Sequence, residues 1–297
     1  MRQVRDVRDP NEQTVAEKLR GHFNGLTRAE RQLAVSLLTN YPVSGLGSVS
    51  ELAKSANVSG PTVVRMAQKI GFAGFTELQS ALRLEVEETI SNPISKQERW
   101  TRNAPDAHIL NRFADAVIDN LKQTLQQLDT QDFDQAVRLL TDRERAVHIV
   151  GGRITRALSD YFFTHLQVIR DDVIAIASNS NTWPHYLLNM KPGDVVVVFD
   201  IRRYEHDILR FVDLARERGA VVIVFTDQWT SPAAVNAEYV FNARIEAPSA
   251  WDSSVVIMFI LEALIEAMTT STWKVTKERM NTLENLFDKT KMFSKSS

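Results

Sequence analysis

Five short apolar runs, separated by stretches of helical periodicity, constrain the second half of the chain more than any other feature. They are AVHIV (146–150), DVIAIA (172–177), DVVVVF (194–199), AVVIVF (220–225) and EYVFNA (238–243). Runs of branched apolar residues without polar alternation suit strands buried on both faces, the condition inside a parallel sheet. Helical patterns lie between and after them, at about 153–169, 182–190, 205–218 and 253–269, and the tail from Trp273 to about Lys291 reads as one more helix. This alternation predicts an α/β domain whose strands run parallel through right-handed crossovers.

The first ninety residues read differently, as helices only. Thr27-Arg28-Ala29-Glu30 and Ser48-Val49-Ser50-Glu51 are both of the form S/T-x-x-E, the capping box that opens a helix. Tyr41-Pro42 and Gly45-Leu46-Gly47 break the chain between them. Ser59 opens a third helix with Pro61 in its first turn, and Gly71 closes it. A last helix follows Phe72-Ala73-Gly74-Phe75 and runs to about Glu88. The segment SNPISKQERWTRNAP (91–105) carries two prolines and no apolar periodicity. The expected organisation is therefore α plus α/β: an all-helical domain over 1–90, a linker over 91–105, and a five-stranded parallel-sheet domain over 106–297.

Composition removes several function classes. Cysteine is absent, which excludes disulfides and cysteine-ligated metals. No run approaches the ~18 apolar residues of a membrane span, and the opening residues MRQVRDVRDPNEQ lack the apolar core of a secretory signal. A cytoplasmic location with no membrane partner is expected. His22, His108, His148, His165 and His185 show no metal-ligand spacing, and H-E-x-x-H, G-x-S-x-G and P-loop motifs are absent. No metal or cofactor is expected. The net charge of −2 hides an asymmetry: from Lys18 to Arg83 eight basic residues stand against three acids. A basic island of this kind suits a polyanion partner.

The stretch SVSELAKSANVSGPTVVRMAQKIGF gives that island a geometry. Leu52, Ala53 and Ala56 share the inner face of one short helix, and Val63, Met66, Ala67 and Ile70 share that of the next, with Val58 in the turn. Two short helices meeting steeply over small residues describe a helix-turn-helix. Its second helix enters the major groove of a double-stranded DNA operator. Ser59, Thr62, Arg65 and Lys69 are the residues expected to face outward, Arg65 as a guanine reader, Ser59 and Thr62 toward phosphate or thymine. Reading two half-sites about 34–36 Å apart requires a homodimer or homotetramer.

The pattern LT…ER followed by ELA…VS…TV.R…KIGF.GF resembles the N-terminal domain of RpiR-type (MurR/RpiR) transcriptional regulators. The resemblance implies a C-terminal sugar isomerase (SIS) domain of flavodoxin-like strand order that senses a small ligand, and it covers nearly the whole chain. For a 2-1-3-4-5 order, the ligand crevice lies between the first and third strands, at their carboxyl ends. The first strand ends at Gly151-Gly152-Arg153-Ile154-Thr155, the third at Asp200-Ile201-Arg202-Arg203-Tyr204, and the fourth nearby at Thr226-Asp227. SIS domains that bind phosphosugars show G-x-G-x-S after the first strand and a serine-rich loop after the third. Here Arg153 stands for the second glycine, Thr155 for the serine, and FDIRRY replaces the serine loop, while Thr226 and Ser231-Pro232 keep the family's pattern.

Two readings of this cluster stay open. In one, Arg153, Arg202 and Arg203 bind a small anionic effector, a sugar phosphate or sugar acid, through bidentate guanidinium contacts. In the other, Asp200 and Asp227 pair with those arginines as a structural network, and the domain serves oligomerisation alone. Because the SIS fold also serves phosphosugar isomerases, catalysis is the rival class; Glu205 and His206 are the available bases, though both also suit an exposed first helical turn. A fused helix-turn-helix has no use in an isomerase, so no enzymatic activity is expected. The apolar stretch Val255–Leu264 is expected in a core or a subunit contact.

Overall fold

The computed structural model describes residues 12–102 and 107–292. Among the described residues eight α-helices precede the first strand: α1 (Val15–His22), α2 (Arg28–Thr39), α3 (Val49–Ser55), α4 (Gly60–Lys69), α5 (Phe75–Ile90), α6 (Pro93–Arg102), α7 (Ile109–Gln127) and α8 (Thr130–Thr141). Then come β1 (Val147–Gly151), α9 (Arg156–Ile169), β2 (Val173–Ala175), α10 (Trp183–Asn189), β3 (Val195–Phe199), α11 (His206–Glu217), β4 (Val221–Asp227), β5 (Tyr239–Ala243), α12 (Val255–Ser271) and α13 (Trp273–Thr290).

Helices α1–α5 close around one apolar core. Leu19, Leu33, Leu37, Leu52, Val63, Met66, Ile70, Leu78 and Leu82 all meet in it. Both expected capping boxes form, with Thr27 and Ser48 bonded reciprocally to Glu30 and Glu51. A third opens α1, where Thr14 and Glu17 make the same exchange. Gly71 adopts φ +96°, the left-handed geometry that ends α4 at no Cβ cost.

The sheet has the order β2-β1-β3-β4-β5 with every pair parallel. All five residues of β1 and of β3 are buried, because the strands sit between two helical layers. One layer, α8, α9 and α12, packs with Ile149, Val197 and Phe225; the other, α10 and α11, packs with Val150, Val198 and Val224. The apolar helix α12 is largely core: Val256, Ile257, Ile260, Leu261 and Leu264 are each at most 1% exposed.

The expected linker is a difference. Within 91–105 the chain forms α6, whose Lys96 is only 2% exposed and donates to Asp252 Oδ1 at 2.6 Å. The two prolines did not prevent a helix because Pro93 occupies its first position, where the missing N–H costs nothing. Residues 103–105 of that segment lie outside the described residues.

Candidate functional site

The helix-turn-helix forms as the apolar spacing requires. Leu52, Ala53, Ala56, Val63, Met66, Ala67 and Ile70 are all buried, and Val58 packs against them from the turn. On the outer side of α4, Ser59, Pro61, Arg65, Gln68 and Lys69 are exposed. Among the described residues no ion pair involves Arg65, which leans on Thr62 Oγ1 at 3.3 Å. Lys69 is exposed but donates to Glu30 Oε2 at 2.9 Å. Burial pushes the Glu30 carboxyl up, yet the bonds from Lys69 and Thr27 outweigh it and hold it below its usual range.

Thr62 corrects the sequence reading. It is 6% exposed, not outward. It stands four residues before Met66 and flanks the buried stripe, and the Ser59 hydroxyl (2.9 Å) and the Arg65 guanidinium close over its oxygen. Ser59 therefore spends its side chain on Thr62 and makes no side-chain cap. Gln68, outward beside Arg65, was missed although its spacing from Arg65 is i+3. Arg28, Arg31, Lys54 and Arg83 are exposed as well, so most of the basic island faces solvent. Its other two members, Lys18 and Arg20, turn partly inward.

The second candidate site lies at the carboxyl ends of β1, β3 and β4. Thr155 is buried; its hydroxyl donates to the Phe199 carbonyl at 2.7 Å and accepts from the Gly152 N–H at 2.7 Å. Glu205 accepts the Arg153 N–H at 2.7 Å, and a Cβ on Gly152 would overlap its carboxylate. A carboxylate of the chain thus occupies the turn after β1. Asp200 is 3% exposed and accepts from the Ser231 hydroxyl. Burial is the main force that raises its carboxyl to about 7, with the nearby charges of Asp227 and Glu205 adding to it against two hydrogen bonds. Asp227 is fully buried and accepts from the Arg202 N–H (2.7 Å), the Tyr204 hydroxyl (2.8 Å) and the Trp229 N–H (2.9 Å). Burial lifts both the Asp227 carboxyl and the Tyr204 hydroxyl above their usual ranges. Thr226 Oγ1 accepts the Ser231 N–H at 2.9 Å.

The three arginines do not form one buried cluster. The side chains of Arg153 and Arg203 are exposed, and Arg203 takes φ +67°. Arg202 alone is buried. Its Nε donates to Asp252 Oδ2 at 3.1 Å and a terminal nitrogen also bonds that carboxylate. The other terminal nitrogen donates to the Glu88 carbonyl at 2.9 Å, and the guanidinium lies 4.8 Å from the Trp229 ring centre. Burial lowers the Arg202 pKa, but the hydrogen bond and charge of Asp252 more than reverse this. The pairing expected with Asp200 and Asp227 is thus carried largely by Asp252, a residue sequence reasoning passed over. Glu88 belongs to α5, so the cluster that ends β3 reaches into the helical domain.

Comparison with known proteins agrees with this arrangement. Residues 13–89 match the helix-turn-helix domain of the rpiR family and residues 139–267 match the SIS domain. An uncharacterized HTH-type transcriptional regulator from Haemophilus influenzae is 24% identical over 84% of this chain and 88% of its own length. The HTH-type transcriptional regulator RpiR of Escherichia coli is 25% identical over 78% of this chain and 76% of its own. Among solved structures, Vibrio vulnificus NanR complexed with ManNAc-6P aligns over 92% of this chain and 97% of that one, with 16% identity and a TM-score of 0.51, a likeness of fold. With both domains present in the same order, the chain belongs with the RpiR-type transcriptional regulators, a helix-turn-helix domain followed by a SIS domain.

Proposed function

We propose that this protein is a cytoplasmic, non-enzymatic transcription regulator that binds operator DNA through α4 and responds to a small anionic, carbohydrate-derived metabolite at the strand ends of its SIS domain. The observation that carries the DNA half is the outward row Arg65, Gln68 and Lys69 on a helix whose opposite face is fully buried, within an exposed basic surface. For the ligand half, the support is the placement of Thr155, Thr226 and Ser231 where the β-strands end, together with a structural relative that carries ManNAc-6P. Self-association is supported by α7, which leaves several large apolar side chains in water. It buries only Asn120 and Thr124, and exposes Ile109, Leu110, Ile118 and Leu125.

A second reading has its own observation. Thr155, Thr226, Ser231 and Tyr204, hydroxyls of the crevice, are each bonded to other crevice atoms, and Glu205 fills the first turn. In that reading the SIS domain has no ligand and serves only to join subunits. The deciding experiment is selection of duplexes from a random library by full-length protein, repeated with sugar phosphates and sugar acids. A paired-half-site motif whose recovery changes with one of these anions supports the effector reading. A motif indifferent to all of them supports the ligand-free reading, and no enriched motif refutes both.

A further inference from the structure

The helical domain does not hang free of the sheet; it sits on the strand ends. Glu17 of α1 holds Arg244, just past β5, by two bonds of 2.8 Å, and Glu17 and Arg244 are 3% and 2% exposed. Arg20 of α1 donates to the Thr230 hydroxyl in the loop after β4. The carbonyl of Glu88 at the end of α5 takes Arg202 from the loop after β3, and Lys96 of α6 reaches Asp252. Three cations from two domains, Lys96, Arg202 and Arg244, are buried here, and Arg20 is half-buried. One terminal nitrogen of Arg20 is buried without a hydrogen-bond partner among the described residues. Burial lowers the pKa of Arg20 and of Lys96. Arg203 and Thr230, in the loops that α5 and α1 touch, both take positive φ (+67° and +68°), a strained geometry for residues with side chains.

Buried ion pairs return little net stability because desolvation offsets their attraction. Two of these four contacts, Glu17–Arg244 and Lys96–Asp252, are such pairs, so they hold the interface only weakly and a modest competing interaction can open it. We propose that the α1–α5–α6 surface is a latch that closes over the strand ends in competition with an anionic ligand. In the docked form Glu17 holds Arg244, and the Glu88 carbonyl adds to the hold that Asp252 keeps on Arg202; a phosphate monoester or carboxylate takes hold of the Arg244 guanidinium only when the helical domain lifts. The anion thereby frees the DNA-reading helix from one fixed orientation. This rests on the anionic-effector reading above.

Glu17→Gln tests it. Glutamine keeps an oxygen for the Thr14 capping box but removes the charge that holds Arg244. Because the chain has no native cysteine, spin labels at Lys54→Cys on α3 and Asp213→Cys on α11, diluted into unlabelled protein, report the intrachain distance. The otherwise wild-type chain should give one narrow distribution; Glu17→Gln should add a second population. Where the competent form is scarce, apparent affinity scales with its fraction, so Glu17→Gln should bind inorganic phosphate or glucose 6-phosphate about tenfold more tightly than wild type. Arg20→Gln, which loosens a different contact, should act in the same direction, with far-UV circular dichroism confirming both folds. Equal anion affinity in wild type and both variants, or one unchanged narrow distance, overturns the latch. If neither anion nor gluconate binds any of the three proteins, the effector reading falls and takes the competition with it.

Discussion

Asp200→Asn should stabilise the protein at pH 8 and leave it nearly unchanged at pH 4. Asp200 is 3% exposed, and burial raises its carboxyl from 3.8 to about 7. An acid whose folded pKa exceeds its unfolded one loses stability as pH rises from the unfolded value through the folded one. Below about pH 4 both states are protonated and there is no penalty; above pH 7 the whole penalty applies. At about 1.4 kcal/mol per pKa unit, roughly three units set a ceiling of about 4 kcal/mol. Asparagine removes the charge and keeps the pairing, since its amide can donate to the Ser231 hydroxyl that now bonds Asp200. With that ceiling, a gain of about 2–4 kcal/mol is expected at pH 8. For a domain of this size that is roughly 5–12 °C in melting temperature. Paired thermal unfolding of wild type and variant at pH 4 and pH 8 reads the difference directly. A variant no more stable than wild type at pH 8, or one with the same gain at both pH values, would refute the assignment of burial as the cause.

His148 titrates in the opposite sense. Burial lowers its pKa, with Asp194 at 3.5 Å only partly opposing, so the folded chain resists protonation and stability should fall as pH drops below about 6.5. In His148→Leu that acid-side loss should be smaller, measured by urea unfolding between pH 5 and pH 8. Ile118→Glu places a charge on the apolar face of α7 and should reduce the mass seen by light scattering at micromolar concentration; an unchanged oligomer rules that face out as the contact. Glu205→Ala empties the turn beside Gly152 and should raise affinity for inorganic phosphate severalfold in calorimetry if that carboxylate occupies an anion position. Weaker or equal binding would count against that position.

The sheet was legible because β1, β3 and most of β4 are buried on both faces, which leaves an apolar run with no competing pattern. The capping boxes were legible because each is a local exchange spanning three residues. What escaped was non-local. Glu17 and Arg244 are 227 residues apart, and no periodicity announces that one will hold the other. The same holds for Arg202, whose partners Glu88 and Asp252 lie 114 and 50 residues away. The arginine loop read as a ligand site because it follows the end of β3; that part of it ties two domains together depends on the docking of α5. Thr62 was misplaced for a smaller reason. It sits at the edge of the buried stripe, and the side chains of Ser59 and Arg65 decided its exposure.

The measurement closest to the central claim is operator binding by wild type and Arg65→Ala, using the duplex that selection returns and fluorescence anisotropy at fixed salt. Removing a guanidinium that reads a base edge should cost about 1–3 kcal/mol, a five- to 150-fold loss of affinity for the selected duplex with little change on random DNA. Equal binding of both proteins to the selected duplex would contradict the placement of α4 in the major groove.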